Sequence, residues 1–115
     1  MVRVGIDLVE VERLERLLAR RGNRALARLF TPEEVAYAMR ARPPLRYQRL
    51  AARFAAKEAF IKALGRPVPF RDLEVIPGAE GPCLRWQGRD FPLSLTHTRE
   101  FACAVVVIPE LPTPP

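Results

Sequence analysis

The segment from Leu45 to Leu64 constrains this chain most, because it reads as one long helix that is apolar on two sides and still carries charge. At about 100° of rotation per residue, Glu58 and Lys62 form one narrow charged stripe, and Arg53 and Lys57 form another. Leu50, Phe54 and Ile61 lie between the stripes on one side, with Ala52, Ala55, Ala56, Ala59 and Ala63 on the other. Such a helix is covered by protein on both apolar sides, so charges set there mark a site rather than a solvated face. An exposed Glu58–Lys62 pair contributes only about 0.2–0.5 kcal/mol, too little to explain charge inside an apolar sheath. Gly65 stands where a C-cap belongs, and Pro67 lies beyond it.

The flanking patterns predict an α+β fold. Val2, Val4, Ile6 and Leu8 alternate with Arg3, Gly5 and Asp7, the period of a half-buried strand, which sends Asp7 to the face opposite the apolar row. Gly5 within that strand predicts close approach of another backbone or a ligand. A helix from about Val9 to Arg21 follows, and Gly22-Asn23 predicts its stop before a short second helix, Arg24 to Leu29. Thr31-Pro32-Glu33-Glu34 is a capping box opening a helix to about Arg40, a purely structural device. After the central helix come strands at Leu73 to Ile76, Cys83 to Trp86, Phe91 to Thr96 and Phe101 to Ile108. The last is continuously apolar and so belongs inside the sheet, not at its edge. A mainly antiparallel sheet against a long central helix and shorter helices is expected, forming one domain over 1–109, with 110–115 a disordered tail.

Charge and cysteines narrow the partners. The net charge is +6, and of 19 cationic residues only Lys57 and Lys62 are lysines. Arg13, Arg16 and Arg20 fall on one line along the second element, which Arg24 continues only if the helix survives Gly22-Asn23, and arginine suits bidentate contact with carboxylate or phosphate. Cys83 and Cys103 lie apart from each other and from the one histidine, His97, which argues against a zinc cluster or a disulfide framework. No run of about 20 apolar residues occurs and no signal-peptide core opens the chain, so a soluble cytoplasmic protein without membrane insertion is expected.

Should Asp7 and Glu58 converge, two carboxylates without a Cys or His cluster suit a hard divalent ion, Mg2+ with Mn2+ as a substitute. So sparse a protein shell implies a phosphate-bearing substrate, which Lys62 would face from one turn beyond Glu58. His97 ends a strand beside Thr96 and Thr98, a position better placed for ligand contact than for filling a core. Two classes fit these features on their own: a Mg2+-dependent phosphohydrolase and a basic nucleic-acid-binding module. The last leaves Asp7 and Glu58 unexplained and lacks aromatics in its basic stretches.

Three motifs in order then resemble a known family. Gly5-Ile6-Asp7-Leu8-Val9-Glu10-Val11 with Arg13, Arg53-Phe54-Ala55-Ala56-Lys57-Glu58-Ala59 with Lys62-Ala63, and Ser94-Leu95-Thr96-His97-Thr98 with Ala102 and Ala104 closely resemble holo-acyl-carrier-protein synthase, the small single-domain branch of the 4′-phosphopantetheinyl transferases. The resemblance spans Val2 to Val107. It implies transfer of the 4′-phosphopantetheine arm from coenzyme A to a serine of apo acyl carrier protein, releasing 3′,5′-ADP with Mg2+. Asp7 and Glu58 fall on the family's metal ligands, and Lys62 on its phosphate-side lysine, the three forming the catalytic set. Arg53, His97, Thr98, Gly65 and Lys62 are expected to contact coenzyme A; Arg53 and Lys57 are expected to reach towards the nucleotide or a neighbouring chain. Arg13, Arg16, Arg20 and Arg24 lie on the expected carrier-docking helix, and a homotrimer with shared active sites follows from the resemblance. For the serine proton, Glu58, a water on the metal and a residue of the next subunit all stand open. Gly65-Arg66-Pro67-Val68-Pro69 is shorter and stiffer than the family's Gly-Thr-Gly-like loop, and Thr96 replaces its usual serine.

Overall fold

A computed structural model describes residues 1–110. In chain order it contains β1 (Arg3–Glu10), α1 (Val11–Leu29), α2 (Pro32–Met39), α3 (Leu45–Leu64), a 3-10 turn (Phe70–Asp72), β2 (Leu73–Ile76), β3 (Cys83–Trp86), β4 (Arg89–His97) and β5 (Phe101–Ile108). The strands form one sheet in the order β1-β5-β4-β3-β2, antiparallel throughout. The apolar β5 is therefore an interior strand, as its composition predicts. The expected tail at 110–115 lies, apart from Glu110, outside the described residues.

Helix α3 lies across the sheet and supplies its cover. Its alanines at 55, 56, 59 and 63 are buried together with Phe60, Leu73, Leu84, Phe91 and Val106. Phe60 meets Trp86 and Phe91 at ring-centroid separations of 5.4 and 5.2 Å, in tilted geometries that aromatic rings favour. The other end of the helix packs through Leu50, Ala51 and Ala52 against Val11, Leu14, Phe30 and Ala38. The alanine side is buried as the sequence predicts, whereas on the other side Leu50 is buried and Phe54 and Ile61 only partly so; small alanine side chains let the backbones come close.

The closest approach is at Gly5. A Cβ added there would stand 1.8 Å from the carbonyl oxygen of Ala59. Only glycine fits between β1 and α3 at this point, and that seam reverses the expected sense of the strand. Gly5 is buried and Asp7 half-buried on the helix side, while Val4, Ile6 and Leu8 are 62%, 58% and 64% exposed on the other. The alternation was legible; the side facing the core was not, because the helix needs a small residue beneath it and not an apolar row. On the exposed side Val4 stands opposite Val107, Ile6 opposite Val105 and Leu8 opposite Cys103.

The helix ends follow local chemistry. β1 continues to Glu10, so α1 begins at Val11 and not Val9. Within it Gly22 adopts φ 67° and ψ −155°, breaking the helix where Gly-Asn predicts. Both halves of the Thr31 capping box form: Glu34 N donates to Thr31 Oγ1 and Thr31 N to Glu34 Oε1. Gly65 closes α3 in the left-handed region at φ 82°, with its N–H on Ile61 O, and Arg3 Nη1 donates to Leu64 O at 2.9 Å.

Candidate active site

Asp7, Glu58 and Lys62 meet at the seam between β1 and α3. Strand alternation turns Asp7 towards the helix, and the four-residue spacing of Glu58 and Lys62 puts both on the helical face that meets it. Lys62 Nζ donates to Asp7 Oδ1 at 2.8 Å and to Ile6 O at 3.0 Å. Burial raises the Glu58 pKa above the ordinary carboxylate value, and the nearby Asp7 charge raises it further, against the opposing pull of Lys62. The hydrogen bond to Asp7 holds Lys62 above the usual lysine value. Two mutually repelling carboxylates with oxygen donors aimed into one cleft suit a hard divalent cation, while no cluster of three ligating side chains occurs among the described residues.

That cleft, about 440 Å³, is lined by Asp7, Glu58 and Phe54 on one wall and by Arg13, Leu14, Leu17 and Arg20 of α1 on the other. Arg13 and Arg20 therefore stand beside the carboxylates. Arg16 lies next to them on the surface and leans on Glu12 and Glu10 at 3.6 and 3.9 Å, an exposed arrangement of little energetic weight. Arg24 lies past the Gly22 break and lines neither this cleft nor the neighbouring arginine surface, so the arginine line is interrupted after Arg20.

Arg53 and His97 are brought together elsewhere. They line a second opening of about 590 Å³, with Tyr37, Arg40 and Arg49. The guanidinium carbons of Arg53 and Arg49 sit 4.2 and 4.4 Å from the centroid of the Tyr37 ring. Burial lowers the pKa of Arg53, and its Nε is buried without a hydrogen-bond partner among the described residues. His97 Nδ1 pairs with Gln48 Oε1 at 2.9 Å. Thr98 is engaged in its own turn, its Oγ1 accepting from Phe101 N at 3.1 Å and Glu100 N at 3.3 Å. Gly65 lies at the end of α3, one turn beyond Lys62 in the chain.

Lys57 corrects the sequence reading. Both it and Glu34 have no exposed side-chain surface, and Nζ to Oε1 is 2.6 Å. Lys57 Nζ also donates to Leu29 O at 2.8 Å and Phe70 O at 3.2 Å. The second Glu34 oxygen accepts from Val75 N at 2.9 Å. Lys57 thus fastens the end of α1, the 3-10 turn and α3 together, and reaches neither nucleotide nor neighbour. Burial lowers its pKa, with Glu34 opposing. The capping box accounted for Glu34 so fully that its second role went unread; an alanine-sheathed lysine was the one signal that a buried acid had to exist. The Tyr37–Arg49 stack and Gln48 were likewise missed.

With this geometry in place, the relationships are direct. The model of the 4′-phosphopantetheinyl transferase superfamily matches residues 3–106, and the chain belongs to that superfamily. A curated holo-[acyl-carrier-protein] synthase from Thermus thermophilus is 44% identical, over 94% of this chain and 93% of the relative. One from Carboxydothermus hydrogenoformans is 42% identical, over 90% and 94%. The crystal structure of the Bacillus anthracis holo-(acyl-carrier-protein) synthase in complex with CoA (3′,5′-ADP) matches with a TM-score of 0.81 at 34% identity, covering 95% of this chain and 96% of that one. The α+β expectation holds.

Proposed function

We infer that the chain transfers the 4′-phosphopantetheine arm of coenzyme A to a serine of apo acyl carrier protein, giving the holo carrier and 3′,5′-ADP. One observation carries the assignment of the reaction to particular residues: Asp7 and Glu58 line a cleft whose far wall presents Arg13 and Arg20, and Lys62 is bonded to Asp7 at its edge. The carrier serine attacks the phosphorus that bears the pantetheine arm, and the bond to the ADP side breaks. Asp7 and Glu58 would hold Mg2+, which supplies charge stabilisation at the pyrophosphate when bound. Lys62 adds a point charge from one turn away, and the rigid seam keeps these groups fixed while charge redistributes.

Arg13, Arg20 and the adjoining Arg16 give an acidic carrier a cationic surface bordering the cleft, so encounter is electrostatically favoured and weakened by salt. Arg53 and His97 face the other opening and serve the nucleotide end of coenzyme A, with Gly65 and Thr98 assigned to the same co-substrate. The exposed apolar side of β1 and β5 supports assembly into a trimer, because Val4, Ile6, Leu8 and Phe101 form an apolar strip that a second copy can cover. Such assembly lets the two openings be completed by neighbouring chains. No helix among the described residues is long and apolar enough to cross a membrane; a cytoplasmic setting accompanies this reading.

The deciding experiment is mass spectrometry of apo acyl carrier protein incubated with the protein, coenzyme A and Mg2+. A pantetheinyl adduct on the carrier serine, abolished by Asp7→Asn and by Glu58→Gln, is expected. A folded protein that forms no adduct refutes the transfer reading; an adduct that survives both substitutions at limiting Mg2+ refutes the ligand assignment alone. Sedimentation velocity tests assembly: a monomer at micromolar concentration overturns the trimer.

A further inference from the structure

Lys62 holds the carboxylate that a divalent ion would need. Its ammonium is 2.8 Å from Asp7 Oδ1 and 3.0 Å from Ile6 O, while Glu58 shares the cleft from one helical turn earlier. We propose that Lys62 acts as an internal counter-cation for Asp7, competing with the divalent ion for that carboxylate and released from it when the ion binds. This inference rests on the assignment of Asp7 and Glu58 as metal ligands.

Electrostatics and mobility give the argument its direction. Two carboxylates facing one cleft repel, and the ammonium offsets part of that repulsion. A hard divalent ion takes oxygen lone pairs, including those that Lys62 now uses, and two cations on one carboxylate repel each other. The partner able to move is the lysine. Its side chain is 55% exposed on a flexible four-carbon stem, whereas Asp7 is 15% exposed and fixed on β1 against α3. Lys57 offers the contrast, since its ammonium is sealed among Glu34, Leu29 O and Phe70 O and has nowhere to go. Release leaves the Lys62 ammonium free beside the same cleft, where the pyrophosphate is bound in the proposed reaction. Lys62 therefore has two sequential partners, Asp7 without the ion and phosphate oxygen with it.

The test is direct Mn2+ binding, followed by electron paramagnetic resonance of the free ion, on the full chain without coenzyme A at fixed ionic strength. Lys62→Met is expected to bind Mn2+ about two- to fivefold more tightly than wild type, the span that the strength of an exposed ion pair allows, although it loses transfer activity. Lys62→Arg, which keeps the charge, is expected to retain wild-type affinity. Equal or weaker Mn2+ binding by Lys62→Met, or tightening by Lys62→Arg of the same size, overturns the proposal. Asp7→Asn and Glu58→Gln separate this result from the underlying reading: if both bind Mn2+ as wild type does, the ligand assignment itself fails, whatever the lysine variants do. Circular dichroism of each variant checks that the fold is intact.

Discussion

Replacing Gly5 by alanine tests the seam on which the site is built. The added Cβ stands 1.8 Å from Ala59 O, 2.8 Å from Ala59 C and 3.1 Å from Ala63 N. Bringing the first contact out to 3.0 Å, below which Cβ contacts essentially do not occur, parts the strand from the helix by about 1.2 Å. The obstacle is backbone and cannot rotate away. Overpacking costs about 1–3 kcal/mol, and the upper end applies because a helix and a strand have to separate together. With about 4–8 °C per kcal/mol for a small domain, the melting temperature should fall by roughly 12–24 °C. Asp7 lies two residues further along β1, facing Glu58 and Lys62, so the same displacement opens the site. A misplacement near 1 Å costs about a hundredfold in rate, and turnover should fall by that order at temperatures where the variant remains folded. Calorimetry and carrier-modification kinetics on one preparation measure both effects. Wild-type melting and wild-type turnover in Gly5→Ala would refute the reasoning.

Four further outcomes follow from other parts of the structure. Lys57→Met leaves Glu34 buried without its cation and should cost about 3–5 kcal/mol, read by urea unfolding; a loss under 1 kcal/mol would mean that water replaces the ammonium. Glu58 has a raised pKa in the folded chain, so its charged form opposes folding at neutral pH, and that penalty disappears as pH falls through the folded pKa. Metal-free Glu58→Gln should therefore melt no lower than wild type at pH 7.5, with any advantage shrinking towards pH 4, as thermal scans across pH will show. Arg13→Glu with Arg20→Glu should raise the KM for the carrier at least tenfold and leave that for coenzyme A within about twofold; equal effects on both, in steady-state kinetics, would remove the docking role. Val4→Glu, on the exposed apolar strip, should shift sedimentation towards the monomer without lowering the intrinsic helix content seen by circular dichroism.

Much of the fold was legible because it rests on local chemistry. The limits of α3, β2, β3 and β5 follow from Gly65, from flanking turns and from apolar runs, all readable within a few residues. The side of β1 that meets the core was not legible, since it depends on how closely α3 approaches, a tertiary quantity that Gly5 signals only as closeness. At the site, the spacing of Glu58 and Lys62 fixed their common face in advance, whereas the pairing of Lys57 with Glu34 joins residues 23 apart in the chain. The two stripes on α3 marked the separation of Arg53 from Glu58, whereas that of His97 from Asp7 had no local marker. It depends on which side of α3 each opening lies.

The burial of Lys57 changes what chemical labelling can report. The chain has two lysines, and one is sealed in the interior, so amine-directed reagents meet only Lys62 and the terminal amine of Met1. An ordinary acylating reagent thereby reports, apart from the chain terminus, on the lysine paired with Asp7 alone, while the many surface arginines stay silent. Lysine labelling, quantified by mass, becomes a footprint of the site itself: occupancy by ion or substrate can be followed on one residue, without a mutation or an inserted probe.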